Sequence, residues 1–265
     1  MDLAKPGAIA FFTWTQKLPM HFSIEQWRAW APGLEQEADW LAWSQQSEPP
    51  AVSDSLPDVS FLPAMQRRRL SPLARMAFSV AWPLADAHGA PLPLVFVSRH
   101  GETPRTFALL SDVSAGAPLS PTQFSLSVHN AIIGQWSIMR SDTSEMTALA
   151  GEADGLEHAV LEAQLLLADD APAVLLVIAE DTPPAAYAGW VSDVPFPYAV
   201  ALLLTPGDRW NLHLSTKTQA HATPADTATA EWPHALNLVR ALNNGATTLE
   251  HRWRNRQWSW QQNSA

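Results

Sequence analysis

The sequence contains no cysteine among its 265 residues. This absence excludes disulfide bonds, thiolate metal sites and a cysteine nucleophile together. Tyrosine is also rare, with 2 residues against 13 tryptophans. Because tryptophan is favoured both in cores and at interfaces, this excess predicts gap-filling in the core or a contact surface.

Positive charge is scarce as well. The chain carries 16 Lys and Arg residues against 26 Asp and Glu residues, a formal net charge of −10. An acidic surface repels phosphates, which argues against nucleic acid as the main partner. No apolar run reaches the roughly 18 residues of a membrane helix, and the start lacks the pattern of a signal peptide. We therefore expect a cytoplasmic protein with no membrane span.

Helix signals recur along the chain. Ser71-Pro72 and Ser120-Pro121 each place a capping serine before a proline at the first helical position. From Asp154 onward, apolar residues recur on one stripe with charged residues opposite. The predicted helices are Ser23–Trp30, the helix from Ser71, Glu102–Ala115, the helix from Ser120 toward Arg140, the helix from Asp154, and Pro233–Leu242.

Short apolar runs alternate with these helices. The predicted strands are Ala8–Trp14, Leu92–Ser98, Ala173–Ala179, Ala199–Leu204, Arg209–Ser215 and a Trp-rich hairpin over Leu249–Trp260. Residues 44–60 and 218–231 are rich in Pro, Ser, Ala or Thr and read as loops. Strands that alternate with helices, some of them apolar on both faces, predict an α/β fold with one layered sheet.

Three segments carry a family resemblance: Phe61–Ser71, Val97–Glu102 and Leu119–Ala131. Together they resemble the β-ketoacyl synthase-like, N-terminal-type proteins of aryl polyene and related type II synthase systems. The resemblance covers roughly residues 8–205. It implies a thiolase-like layered fold, with helices around a mostly buried mixed sheet, in a single domain over residues 1–265. Residues 1–205 would form the thiolase-like half, and residues 206–265 a reduced second half.

The same resemblance implies a role. Such proteins act as the chain-length factor beside an active ketosynthase, in a heterodimer that completes the dimer and bounds the acyl tunnel. The resemblance implies no cofactor, and the late His and Glu residues lack the spacing of metal ligands, so no metal site is predicted. The expected partners are the ketosynthase and an acyl carrier protein.

In the ketosynthase family, the nucleophilic cysteine opens a buried helix. The matching stretch here is residues 151–156, which puts Glu152 at the approximate position of the nucleophile. A carboxylate there would form a reactive anhydride instead of a thioester, so condensation fails. The family's two catalytic histidines also have no match among the late histidines. The resemblance thus implies a catalytically silent subunit. A degenerate condensing enzyme with residual acyl transfer is the alternative.

Residues 123–139 are the predicted interface and tunnel wall. Ile132, Ile133, Trp136 and Met139 recur there at helical spacing and are bulky enough to gate an acyl chain. Ordinary core packing is the equal alternative for this stripe. The full candidate set is Phe124, Ser127, His129, Asn130, Ile132, Ile133, Trp136 and Met139.

The only basic cluster comprises Arg67, Arg68, Arg69 and Arg75. One interpretation is a docking patch for the acidic acyl carrier protein, with salt-sensitive contacts. The other is internal, with these arginines pairing with Asp or Glu across the dimer.

A competing motif lies at Arg99-His100-Gly101-Glu102, which also resembles the histidine phosphatases. There, the histidine accepts the phosphoryl group and the arginine binds phosphate. That motif normally follows the first strand, whereas about ninety residues precede it here. The alternative is a tight turn at the end of a strand, in which Gly101 supplies a positive φ and His100 makes a local hydrogen bond.

Overall fold

The computed structural model describes residues 20–51, 53, 55–216 and 232–263. Its strands are β1 (Met20–Trp30), β2 (Leu94–Val97), β3 (Met146–Leu149), β4 (Val174–Glu180), β5 (Tyr198–Thr216), β6 (Thr248–Trp253) and β7 (Arg256–Gln262). Its helices are α1 (Glu37–Ser44), α2 (Ala64–Arg67), α3 (Pro72–His88), α4 (Thr103–Ser114), α5 (Pro121–Ser125), α6 (Ala131–Arg140), α7 (Gly155–Ala168) and α8 (His234–Asn243), with a 3₁₀ turn at Ala185–Tyr187.

The described strands form one mixed sheet in the order β3-β2-β4-β5-β7-β6, with β1 also paired to β5. Strand β2 runs parallel to β3 and β4, and the other pairs are antiparallel. The 19-residue β5 joins the two parts of the chain, because its first part pairs with β4 and its last part with β7. The division at residues 205 and 206 therefore falls inside one strand.

Helices cover both faces of the sheet. On one face, α1, α7 and α8 pack against alternate residues of β4 and β5, with Trp258 and Trp260 of β7 in the same core. On the other face, α3 and α6 pack against the remaining residues of these strands. Every residue of β4 is buried, which explains its unbroken apolar sequence. Within the described residues, none of the helices combines the length and the apolar character needed to span a bilayer.

Most predicted elements are confirmed. The confirmed elements are the helices from Ser71 and Asp154, the helices within Glu102–Ala115 and near Pro233–Leu242, the strands within Leu92–Ser98 and Ala173–Ala179, and the C-terminal hairpin. Ser71 accepts a hydrogen bond from the amide of Ala74, as expected of an N-cap serine. The predicted strand Ala8–Trp14 and the predicted loop 218–231 lie outside the described residues.

The predicted helix Ser23–Trp30 is wrong, because these residues belong to β1. They pair antiparallel with β5, from Ser23 opposite Thr205 to Trp30 opposite Ala199. The partner strand lies about 180 residues along the chain, so local periodicity carries no trace of it. Tertiary pairing overrides the local helical pattern at this site.

Two further boundaries differ from the prediction. The helix from Ser120 breaks into α5 and α6, where Ser125 and Ser127 donate their hydroxyls to carbonyls of the preceding turn. The two strands predicted over Ala199–Ser215 are one continuous β5, which crosses Pro206-Gly207 with a register shift in its pairing with β1.

Candidate functional site

A cavity of about 440 Å³ opens at the carboxyl ends of β2 and β4. This edge of an α/β sheet is where ligand sites are usually found. The start of α7 forms one wall, and residues 192–198 and 232–235 form others. The end of β6 contributes Arg252 and Trp253. The predicted nucleophile position, Glu152, lies on its lining, so the cavity is the candidate functional site.

Three carboxylate residues lie within six positions at the start of α7. Glu152 and Asp154 precede the helix, and Glu157 lies in its first turn. We call residues 152–157 the carboxylate segment and residues 248–262 (β6, β7 and their turn) the C-terminal hairpin. Each of the three carboxylates accepts a hydrogen bond from a different indole N–H of this hairpin. The pairs are Glu152 with Trp253 at 2.8 Å, Asp154 with Trp258 at 3.0 Å, and Glu157 with Trp260 at 3.1 Å. Three of the tryptophans therefore fasten the end of the chain to the start of α7.

Glu152 lies at the rim of the cavity. Besides the indole of Trp253, the Arg254 guanidinium donates to its carboxylate at 2.8 Å. The hydrogen bond from Trp253, with Arg254 and Arg256 nearby, holds the pKa of Glu152 below its ordinary value. Both carboxylate oxygens thus have donors from the C-terminal hairpin. The structure places a fixed, ionised side chain at this position.

Asp154 is fully buried at the N-terminus of α7. Arg256 donates to its two oxygens, at 2.5 and 3.0 Å. Burial raises the pKa of Asp154, but the hydrogen bonds from Arg256 and Trp258 outweigh it, and the pKa lies below its ordinary value. The Asp154 side chain makes no capping hydrogen bond to the first turn of α7, because Arg256 and Trp258 of the hairpin bind its carboxylate instead.

Glu157 forms the most buried part of the site. His234 of α8 and His251 of β6 donate their Nδ1 hydrogens to its two oxygens, at 2.8 and 2.5 Å. Their rings stack with centroids 3.9 Å apart. Burial raises the pKa of Glu157, but the hydrogen bonds from His234 and His251 outweigh it and lower the pKa to about 2. These residues hold the C-terminal elements against α7.

Glu157, His234 and His251 are also a candidate metal-ligand set, because one ligand atom from each lies within 4.8 Å of the others. Sequence spacing missed this convergence, since the three residues come from α7, α8 and β6. The ring geometry opposes a metal. The two imidazoles are 16° from parallel and 3.9 Å apart, so one ion cannot lie in the plane of both rings. The arrangement instead suits a carboxylate clamped between two N–H donors.

The turn after β2 gathers a second set of charges. Glu180 is buried at the end of β4 and accepts hydrogen bonds from the Ser98 hydroxyl at 3.0 Å and from the amides of Arg99 and His100. Burial raises the pKa of Glu180 above its ordinary value. Asp193 pairs with Arg99 at 2.9 Å and with His100 Nε2 at 3.0 Å. Burial raises the pKa of Asp193, but His100 and Arg99 together lower it below its ordinary value.

This geometry opposes the phosphatase alternative. His100 Nε2 and the Arg99 guanidinium both face the carboxylate of Asp193, which would repel a phosphoryl group. The turn interpretation is confirmed for Gly101. The local hydrogen bond expected of His100 is wrong, because its Nε2 bonds Asp193, which lies far along the chain. Gly101 has φ of +53°, and a Cβ there would lie 2.9 Å from Cδ2 of His129. Only glycine meets both conditions without strain.

The predicted interface residues divide into three groups by burial. Phe124 and Asn130 are exposed, and Ser127, His129, Ile133 and Met139 are half-buried. Ile132 and Trp136 are buried in the core beside α3, where Trp136 contacts Phe78 edge-on. Core packing therefore accounts for Ile132 and Trp136. His129 points inward and bonds the carbonyl of Ser98 at 2.7 Å.

Sequence reasoning named Phe124 but missed four other exposed hydrophobic side chains on and around α4 and α5. We call Leu110, Val113, Leu119, Phe124 and Val128 the apolar face; all five are exposed, Phe124 by 62%. The Thr106 hydroxyl of α4 donates a hydrogen bond to the carbonyl of Ser127, two residues after the end of α5. Residues 106–139 contain one Asp and no Glu, Lys or Arg, a depletion of charge that is typical of contact surfaces.

The four residues of the arginine cluster form two pairs with different contacts. The Arg67 guanidinium donates to the carbonyls of Ser60 and Leu62, and Arg75 donates to the carbonyl of Arg67. The guanidinium groups of these two arginines therefore bond to backbone carbonyls of the same chain and not to carboxylates. Arg68 and Arg69 make no ion pair with any described residue. They line a second cavity of about 410 Å³ together with Arg105.

Comparison with known proteins agrees with this geometry. The family model for the β-ketoacyl synthase N-terminal domain matches residues 40–261. No curated protein matches the chain. Among solved structures, the chain is similar to a chain in the complex of the ketosynthase (ApeO) with its chain length factor (ApeC) from Xenorhabdus doucetiae. The identity is 28% and the TM-score 0.78, over 91% of this chain and 99% of that chain.

Two further structures share the fold at low identity. The ishigamide ketosynthase/chain length factor is 13% identical, with a TM-score of 0.66 over 91% of this chain and 99% of that chain. The ketosynthase from module 6 of the bacillaene synthase of Bacillus subtilis 168 is 12% identical, with a TM-score of 0.51 over 77% of this chain and 42% of that chain. The predicted thiolase-like layered fold is confirmed. The chain therefore belongs to the β-ketoacyl synthase N-terminal domain family.

Proposed function

We propose that the chain is a non-catalytic subunit of the chain-length-factor type, which pairs in the cytoplasm with an active ketosynthase of an aryl polyene-type synthase. In this role it completes the dimer and bounds the acyl tunnel, while the partner performs the condensation. The observation that carries the proposal is the state of Glu152, at the predicted position of the nucleophile.

Condensation of the ketosynthase kind needs a thiolate that takes up an acyl group as a thioester. This chain has no cysteine at all. The side chain at the predicted position is a carboxylate whose oxygens accept hydrogen bonds from Trp253 and Arg254. These donors lower its pKa and tie it to the hairpin, so it is both a poor nucleophile and a fixed one. The degenerate condensing alternative is disfavoured for the same reason.

The apolar face supports a protein partner. Five large hydrophobic side chains are exposed on and around α4 and α5, in a stretch almost without charge. A lone chain leaves this surface in water, whereas a subunit interface would bury it. Strand β3 offers a separate half-buried edge, because it lies at one end of the described sheet order. The structure described as a ketosynthase with its chain length factor contains a chain of nearly this length and fold.

Arg68 and Arg69 form the part of the basic cluster that is left for an acidic partner. With Arg105 they line one cavity at the start of α3, while the chain as a whole carries a net charge of −10. We propose that this pocket contributes to docking of the acyl carrier protein. Contacts of this kind act mainly on the association rate and weaken with salt.

Co-expression with a cognate ketosynthase tests the proposal. We expect a heterodimer on size-exclusion chromatography with light scattering, and condensation by the complex but not by this chain alone. A stable monomer that never co-purifies with the ketosynthase would refute the pairing. Incubation with acylated carrier protein, followed by mass spectrometry, tests the silent site. A mass increase that Glu152→Gln abolishes would instead establish the degenerate enzyme.

A further inference from the structure

Among the asparagines of the sequence, only Asn244 is followed by glycine. The side-chain carbonyl carbon of an asparagine can be attacked by the backbone nitrogen of the next residue, which closes a five-membered ring. Glycine favours this attack, because no side chain shields its nitrogen and its backbone reaches more conformations than that of other residues. The pair Asn244-Gly245 is therefore the position at which the sequence most favours loss of a side-chain amide.

The structure leaves this pair accessible. Asn244 is the C-cap of α8, and both Asn244 and Gly245 are exposed. Gly245 has φ of +63°, and a Cβ at that position would meet no atom within 4 Å, so the space around it is open. Its amide donates to the carbonyl of Leu242 at 3.3 Å, which is longer than a usual N–H···O bond. Only the last turn of α8 has to open for the attack, and helix ends open at little cost in free energy.

The Asn244 side chain connects two helices. Helices α1 and α8 contact each other, and their C-terminal ends meet at this side chain. The side-chain amide of Gln45 donates to Asn244 Oδ1 at 2.5 Å, and Asn244 Nδ2 donates to the carbonyl of Ser44 at 3.4 Å. The adjacent Asn243 donates to the Ser44 hydroxyl at 3.0 Å. The Asn244 amide is thus an acceptor and a donor at once, which a carboxylate cannot be.

A carboxylate at this position is unfavourable for two reasons. It only accepts hydrogen bonds, so the carbonyl of Ser44 would lose its donor. It would also lie at the negative ends of two helix dipoles, those of α1 and α8. Arg240, one turn earlier on α8, offers one favourable charge against these two costs. A change from amide to acid at Asn244 therefore weakens the contact between α1 and α8.

We propose that Asn244 is a deamidation site, at which a slow, uncatalysed reaction loosens the contact between α1 and α8. The Gly245 nitrogen forms a bond to Cγ of Asn244, the Cγ–Nδ2 bond breaks, and Nδ2 leaves as ammonia with the proton of the Gly245 amide. Water then opens the resulting succinimide at either carbonyl, which gives aspartate or isoaspartate. The reaction needs no partner or ligand, so it succeeds or fails independently of the proposed function.

Peptide mapping by mass spectrometry tests the site. The full chain, with any partner it purifies with, is incubated at neutral pH in water enriched in heavy oxygen, beside a synthetic peptide with the sequence of residues 240–248. Since helix ends open readily, we expect Asn244 of the folded chain to react at least about a tenth as fast as the peptide. Isoaspartate and aspartate should form together, each with one heavy oxygen atom. Asn255, exposed in the turn of the C-terminal hairpin and followed by arginine, is the internal control and should stay intact.

Two variants at the site separate the reaction from its consequence. Asn244→Gln keeps the amide but would need a six-membered ring, so it should stay unconverted over the same period. Asn244→Asp introduces the charge directly and should raise the equilibrium constant of unfolding roughly five-fold, because one hydrogen bond and two helix ends are affected. Urea unfolding measures this change. Asn255→Asp is the matched control, since it adds the same charge at an exposed turn, and it should leave the unfolding constant unchanged within error.

Three outcomes would overturn the proposal. If the folded chain keeps Asn244 intact while the peptide is fully converted, α8 protects the site and there is no reaction in the native chain. If aspartate forms without isoaspartate, the succinimide route is wrong. If Asn244→Asp unfolds at the same urea concentration as the wild type, the reaction does not loosen the contact between the two helices.

Discussion

The carboxylate segment and the apolar face belong to the same layered fold, and their side chains are satisfied in opposite ways. In the carboxylate segment, Glu152, Asp154 and Glu157 each receive an indole N–H and at least one Arg or His donor from later elements of the same chain. In the apolar face, large hydrophobic side chains point into solvent with no described element over them. One region is completed by its own chain, whereas the other is left incomplete.

The difference indicates that the chain contributes a contact surface and not a reactive group. A catalytic site needs reactive groups that are free to meet a substrate. The carboxylate segment has no such free group, because all three of its carboxylates bond to the C-terminal hairpin. The apolar face has no internal purpose, and burial by a partner would make use of it. This contrast is what supports a subunit that contributes shape and contact, with chemistry left to the partner.

The largest effect expected in the carboxylate segment is a loss of folding stability at acidic pH. Glu157 has a pKa of about 2 in the folded chain, against an ordinary value of 4.5. Because the folded pKa lies below the unfolded one, its contribution is present above about pH 4.5 and is lost as the pH falls toward 2. That contribution is about 3 kcal/mol at neutral pH. Urea unfolding at a series of pH values measures it, and Glu180, whose pKa is raised, opposes it in part.

Glu157→Gln assigns the acid sensitivity to one residue. Removal of the charge leaves His234 and His251 buried around a neutral amide, so we expect a loss of about 3 kcal/mol in the free energy of unfolding at pH 7. The variant should also lose most of the pH dependence below pH 4.5 that the wild-type chain shows. Glu250→Gln is the control, because Glu250 is exposed on the same hairpin, and it should change stability by less than about 0.5 kcal/mol. Equal effects of the two variants would contradict the role given to Glu157.

Phe124→Glu tests whether the apolar face binds the partner. Since Phe124 is 62% exposed, the variant should keep the stability of the chain to within about 0.5 kcal/mol. A charge in a desolvated interface should weaken binding of the ketosynthase by about 2 kcal/mol, or roughly thirty-fold. Surface plasmon resonance with the purified partner measures the affinity. Leu165→Glu, at an exposed site on α7, is the control and should leave the affinity unchanged.

Arg254→Gly should have the smallest effect. Arg254 has φ of +54° in the turn of the C-terminal hairpin, a conformation that glycine adopts without strain. Its ion pair with Glu152 is largely exposed and contributes little. Relief of strain and loss of the pair should nearly cancel, so the midpoint of urea unfolding should stay within error of the wild type. A loss of more than about 1 kcal/mol would mean that the pair to Glu152 holds the hairpin more firmly than its exposure implies.

The fold could be predicted where the signal is local. Ser71-Pro72 specified the start of α3, and the apolar run of β4 specified a strand buried on both faces. The helical prediction for Ser23–Trp30 was wrong, because β1 is held by pairing with a strand far along the chain. A one-dimensional pattern carries no record of such pairing.

The site was predictable only in outline. The resemblance located the start of α7, but not that Trp253, Trp258 and Trp260 would each bond a carboxylate there. The excess of tryptophan predicts gap-filling or a contact surface, but it assigns no partner to any late tryptophan. The late histidines lack ligand spacing in the sequence, although the fold stacks the rings of His234 and His251 on each other and directs both Nδ1 atoms at Glu157. Contacts between α7 and elements some eighty or more residues later depend on the whole sheet, and no local motif encodes them.

The most direct test of the central claim is the mass and activity of the co-expressed complex, measured for Phe124→Glu and Glu152→Gln side by side. If this chain is a silent partner, Glu152→Gln retains both the heterodimer and condensation by the ketosynthase, whereas Phe124→Glu loses the heterodimer. The opposite result, in which Glu152→Gln abolishes condensation within an intact heterodimer while Phe124→Glu has no effect, would contradict the account.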